Sequence, residues 1–176
     1  MTSPLSEKRI VLGVTGSIAC YKALDLASKL TQSGALVDTI LTSAANQFIS
    51  PLAFRSLTHR PVVTDLFDSE SELSINHVAL AEKADIVVVA PATANSIGKM
   101  ANGISDDPLG ATILATKSPI VVAPAMDGNM YQNPATQENI SKLVSRGIFI
   151  AGPEKGRLAS GLFGTGRLVE IPSLLG

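Results

Sequence analysis

A chain of 176 residues, 45% of them hydrophobic, is long enough for one domain with a real core and short for two enzymatic ones. Its 14 basic and 15 acidic residues leave a formal net charge of -1 with no long run of either sign, which argues against nucleic acid or an anionic membrane surface. The single cysteine, Cys20, and only two histidines, His59 and His77, exclude a disulfide framework and a Cys/His metal cluster. No apolar run approaches the roughly 20 residues that span a bilayer, and the start lacks the basic-then-apolar pattern of a secretory leader. The expectation is one cytoplasmic domain over residues 1–176, with a flexible lead over 1–8 and a small-molecule partner.

In chain order, Arg9 to Val14 reads as a buried strand, followed by Thr15-Gly16-Ser17 and a helix carrying Ile18, Ala23, Leu26 and Leu30, which Gly34 closes. A second strand, Val37 to Leu41, ends at Thr42-Ser43. Short helices are expected over Ala44 to Phe48 and Pro51 to Leu57, and His59 falls in a turn with no functional role. Residues 64–76 are acidic and serine-rich, which predicts an exposed connection. A helix near His77 to Lys83, a strand over Asp85 to Ala90 and a loop from Pro91 follow. The helix Pro108 to Thr116, the strand Pro119 to Ala123, the helix Pro134 to Arg146 and the strand Ile148 to Ala151 complete the pattern. Continuous apolar strands alternating with helices predict a parallel sheet covered on both faces. Beyond Pro153, the glycines at 156, 161, 164 and 166 predict a loop and tail.

In such a sheet, ligands bind beyond the carboxyl ends of the strands. Thr15-Gly16-Ser17 opens a helix whose free N–H groups suit an anion. The spacing there is not G-x-G-x-x-G and no Walker lysine is present, so a mononucleotide phosphate fits better than a dinucleotide. The hydroxyls of Ser17, Thr42 and Ser43 are candidates for that phosphate, and equally for helix capping.

Four motifs occur in order: Gly13-Val14-Thr15-Gly16-Ser17-Ile18-Ala19, Ala90-Pro91-Ala92-Thr93-Ala94-Asn95, Pro124-Ala125-Met126 through Met130, and Gly161-Leu162-Phe163-Gly164-Thr165-Gly166-Arg167. Together they resemble the homo-oligomeric flavin-containing cysteine decarboxylases, over about Arg9 to Glu170. The resemblance implies an α/β fold, a Rossmann-like three-layer sandwich with a parallel sheet of about six strands flanked by helices. It also implies FMN as cofactor and a homotrimer or dodecamer with the flavin at a subunit boundary. Gly16, Ser17 and Ser43 would hold the FMN phosphate. Phe48, Ala92, Thr93, Asn95 and Met126 would lie along the flavin, although Asn95 in isolation also reads as a cap for a following helix. His77 takes the place of the family's catalytic histidine, and Asp127, Met130, Ala159 and Ser160 take substrate. The implied reaction is decarboxylation of a cysteine unit. In the coenzyme A branch the substrate is 4'-phosphopantothenoylcysteine, and the ligase of the preceding step is a fused or separate partner.

Two positions depart from the family pattern. Asp127 stands where many members have asparagine, and Ser160 where the coenzyme A branch commonly has a cysteine that serves the final reduction. Serine is a much weaker acid than a thiol of pKa about 8.5, so Asp127 is a candidate for supplying the proton, with Asp127 and Ser160 counted among the catalytic residues. The alternatives are an oxidative peptidyl-cysteine decarboxylase that stops at the enethiol and a non-catalytic FMN-binding regulatory subunit.

Overall fold

The computed structural model describes residues 3–67 and 76–175. The first half comprises β1 (Arg9–Val14), α1 (Cys20–Gln32), β2 (Leu36–Leu41), α2 (Pro51–Thr58), β3 (Val62–Val63) and α3 (Asn76–Lys83). The second half comprises β4 (Ile86–Ala92), α4 (Ala94–Asn102), α5 (Pro108–Ala115), β5 (Ile120–Pro124), α6 (Gly128–Gln132), α7 (Pro134–Ser145), β6 (Phe149–Ile150), β7 (Glu154–Arg157), β8 (Phe163–Arg167) and α8 (Ile171–Leu175).

The first six strands form one parallel sheet in the order β3-β2-β1-β4-β5-β6. The chain therefore winds outward from β1 to β3 and restarts on the other side of β1 with β4. Crossovers leave β1 and β4 on opposite faces, which opens a crevice at their carboxyl ends. Alternation along β1 divides the core: Ile10, Leu12 and Val14 join α1, α2 and α8 through Leu26, Phe54 and Ile171. Val11, on the other face, meets α4, α5 and α7 through Ile97, Leu109 and Leu143. Burial on both faces accounts for the unbroken apolar strands.

Helix starts follow their caps. Ser50, Thr93, Asp107 and Asn133 each accept a backbone N–H at the start of α2, α4, α5 and α7, and proline occupies the first helical position of three of these, Pro51, Pro108 and Pro134. His59 ends α2 in the left-handed conformation, φ 55°. Inside the sheet, Asp38 is held by the Arg60 guanidinium at 2.7 Å.

The structure differs from the sequence expectation in several places. Pro91 and Ala92, expected in a loop, extend β4, and α4 starts immediately after them. The 64–76 connection is preceded by the short edge strand β3, and its residues 68–75 lie outside the described residues. The glycine-rich segment after Pro153 is not a loop: β7 and β8 pair as an antiparallel hairpin, and α8 packs Ile171 into the core. Glycine reads as turn in a sequence, yet here Gly156 and Gly164 face each other across the ladder. In the lead expected to be flexible, residues 3–8 form a turn tied by Glu7 N–H to Gly34 O at 2.9 Å, with Leu5 against the core.

Candidate active site

Thr15 clasps the two central strands at the switch point. Its fully buried hydroxyl donates to Pro91 O at 2.7 Å and accepts from Thr93 N at 3.0 Å. No candidate role was attached to Thr15 from sequence, where the only signal was a threonine directly after a buried strand. Because its proton is donated within the chain and the residue is fully buried, Thr15 fixes the site rather than contacting ligand.

Around this clasp the β1 and β2 loops approach closely. A Cβ at Gly16 would collide with Ala44, so glycine is required there by the neighbouring loop. Ser17 Oγ accepts from Ala19 N at 3.2 Å and keeps its own proton to donate outward. Thr42, a candidate for the same phosphate, serves as a cap: it is 8% exposed and accepts from Ala45 N at 3.2 Å. Ser43, next to it, is exposed. Three residues on, Asn46 Oδ1 is buried with no hydrogen-bond partner among the described residues, an acceptor that suits a ligand donor. The set of neutral hydroxyl donors, a tight glycine turn and an orphaned acceptor fits a mononucleotide such as FMN.

At the end of β4, Ala92 is fully buried and its carbonyl accepts from Ala125 N at 3.0 Å. Its burial makes it part of the floor beneath the strand ends. The Thr93 hydroxyl accepts from Ser96 N at 3.2 Å as the cap of α4. Asn95 is thereby inside the helix and exposed, so the capping alternative for Asn95 falls.

At the end of β5 the hairpin folds back over the chain. Met126 N donates to Gly166 O at 2.9 Å, and a Cβ on Gly166 would collide with the Met126 carbonyl. Asp127 caps the short helix α6, its Oδ1 accepting from Asn129 N at 3.0 Å. Its Oδ2 accepts from Ser160 Oγ at 2.9 Å, although the two residues are 33 positions apart. The two departures from the family pattern therefore touch. Between α1, the β5 end and the hairpin lies a cleft of about 490 Å³, whose lining includes Ser17, Met126, Asp127, Ala159 and Ser160. Lys22, Arg157 and Arg167 also line it and were not anticipated. The signal for Lys22 was available: a cation in the first turn of α1, which carries no acidic residue there, opposes the helix dipole.

The cleft does not collect every candidate. Gly16, Ser43, Phe48, Thr93, Asn95, Met130 and His77 are absent from its lining. His77 is half-buried in the first turn of α3, on the face of the sheet opposite α1. Phe48 and Met130 are 52% and 51% exposed.

A doubly wound sheet with a mononucleotide-type turn at its switch point defines the class of protein as a nucleotide-cofactor domain. The flavoprotein family profile matches residues 1–175, and the chain belongs to that family. It is 48% identical over 171 residues to the coenzyme A biosynthesis bifunctional protein CoaBC of Bacillus subtilis, covering 97% of this chain and 42% of that protein. The chain thus spans less than half the length of this relative. Among solved structures it is 32% identical, with a TM-score of 0.85, to a cysteine-to-serine mutant of PPC decarboxylase complexed with pantothenoylaminoethenethiol, covering 96% of this chain and 94% of the other. It is 34% identical, with a TM-score of 0.81, to the FMN-dependent cysteine decarboxylase SpaF, over 92% and 91% of the two chains.

Proposed function

We propose that this chain decarboxylates 4'-phospho-N-pantothenoylcysteine to 4'-phosphopantetheine, with FMN as cofactor, in coenzyme A biosynthesis. The observation that carries the reading is the contact between Asp127 and Ser160 in a cleft that Ser17 also lines. The names of the similar proteins, CoaBC, PPC decarboxylase and an FMN-dependent cysteine decarboxylase, support it.

When bound, FMN supplies two-electron chemistry: oxidation of the cysteine thiol to a thioaldehyde, from which carbon dioxide leaves, and reduction of the resulting enethiol. Gly16, Ser17 and Ser43 hold its phosphate, and Phe48, Thr93, Asn95 and Met126 flank the ring and ribityl chain. His77 removes the thiol proton, a task for which imidazole is suited near neutral pH. Met130 and Ala159 line the substrate. Ser160 donates to Asp127, so the pair holds an exchangeable proton where the final saturation needs one. His77 and Phe48 reach the flavin from a neighbouring copy in a homotrimer, or in a dodecamer built from trimers. The preceding ligase is a partner, fused or separate.

The test is incubation of the flavin-loaded protein with 4'-phosphopantothenoylcysteine, following carbon dioxide and product mass. Release of carbon dioxide with the saturated aminothiol is expected, and flavin-loaded protein that leaves the substrate intact would overturn the reading. Ser160 favours a second reading, an oxidative decarboxylase that stops at the enethiol, whose product is two hydrogens lighter.

A further inference from the structure

We infer that Lys22 and Arg157 form a subsite for the phosphate of the substrate, in the cleft that also holds Asp127 and Ser160. The inference rests on the decarboxylase reading and adds the group by which a phosphorylated substrate is told from its dephosphorylated form.

The two cations reach the cleft from different elements. Lys22 lies in the first turn of α1 and Arg157 ends β7 in the hairpin. Neither makes an ion pair among the described residues, whereas Arg167, the third cation of the lining, is engaged by Glu170. Asp127 is the sole carboxylate of the lining, and both its oxygens already accept hydrogen bonds from Asn129 N and Ser160 Oγ. It forms no ion pair with Lys22 or Arg157.

Position strengthens the argument. The N-terminal turn of a helix carries partial positive charge, so a lysine there is destabilised unless an anion faces it. Lys22 adds to that field instead of offsetting it, and α1 has no acidic residue in its first turn. The Arg157 guanidinium supplies the planar, multi-donor head that suits phosphate oxygens. A cleft of about 490 Å³ has the volume of a small-ligand site. A dianion between two unneutralised cations is thus the complement of this wall, and a neutral hydroxyl is not.

The phosphate of the flavin is the other anion available, and the experiment separates the two. Flavin-loaded protein is titrated calorimetrically with 4'-phosphopantetheine and with pantetheine, and the flavin-to-protein ratio is read from absorbance. The unmodified protein is expected to bind the phosphorylated form at least about tenfold more tightly, the scale of one charge-assisted hydrogen bond. In Lys22→Gln combined with Arg157→Gln the preference should fall to within about threefold at an unchanged flavin ratio, and Arg157→Lys should retain part of it. Equal affinities in the unmodified protein, an undiminished preference in the double variant, or loss of flavin on substitution would each overturn the assignment. Carbon dioxide release without any phosphate preference overturns this subsite alone. Absence of turnover on the phosphorylated cysteine substrate overturns the decarboxylase reading beneath it.

Discussion

Asp127 is both a helix cap and a partner of Ser160, so its replacements separate structure from chemistry. Asparagine keeps an oxygen for Asn129 N and loses the charge, so Asp127→Asn should retain the denaturation midpoint. Saturated product should fall on the order of 100-fold, the low end of a general acid-base contribution, and product mass spectrometry is the check. Unchanged carbon dioxide release and saturated product would remove Asp127 from the proposed chemistry. Asp127→Ala, by contrast, also removes the cap and should cost about 1 kcal/mol in urea unfolding. Sequence pairs Asp127 and Ser160 as two departures that occur together, and the fold of the hairpin brings them to 2.9 Å. Cys20 carries a different prediction. It is 1% exposed, and burial pushes its thiol up from the ordinary value. The folded protein thus favours the neutral thiol. That contribution is intact below the ordinary pKa of about 8.5 and is lost as pH rises through the raised value. A disulfide reagent at pH 8 should therefore label Cys20 at the rate of unfolding, and rapid labelling of native protein would contradict its burial.

Elements rather than residues decide how the site is shaped, and here the sequence was legible in the centre and opaque at the rim. The long strands β1, β2, β4 and β5 and the helices α1 and α7 announce themselves through apolar runs and periodicity. The two-residue strand β3 and the five-residue helix α6 are too short to carry a period. The hairpin was concealed because its glycines serve packing as well as turning. Gly166 is the clearest case, since its backbone meets Met126 O directly and any side chain would part the hairpin from the β5 end. Gly166→Ala is expected to lower kcat/KM on the cysteine substrate by tenfold or more, because Ser160 leaves Asp127, while the sheet unfolds at nearly the same denaturant concentration. The clasp between β1 and β4 makes the opposite prediction. Thr15→Val removes a buried hydroxyl and leaves Pro91 O and Thr93 N without it, which should cost about 1–3 kcal/mol. Thr15→Ser should restore most of that loss, and an unaffected urea midpoint in the valine variant would show the clasp to be dispensable.

At the scale of the whole molecule, one copy keeps its proposed machinery in two places. Asp127, Ser160 and Ser17 share the cleft beside α1, whereas His77 lies in the first turn of a helix on the other face of the sheet and the exposed Phe48 is not part of the lining. Two separated half-sites make a working centre when copies associate so that one chain's His77 meets another chain's cleft, which is the arrangement of the proposed trimer. The same edge of the molecule carries apolar surface that a lone chain has no use for. Phe48 and Leu52 are 52% and 67% exposed where α2 begins at the carboxyl end of the sheet, while Ile18 and Tyr21, 57% and 61% exposed, line the cleft itself. Such residues gain by being covered, at about 25 cal/mol for each Å² of apolar surface removed from water. Leu52→Asp places charge in that contact, and association should fail before folding does, because the side chain stands outside the core. Sedimentation should then give the mass of a single chain. Bound flavin should fall in proportion to the dissociated fraction, and carbon dioxide release should fall with it. Should the dissociated chain keep its flavin and its activity, the centre would be complete within one copy, and His77 would have to reach the cleft of its own chain.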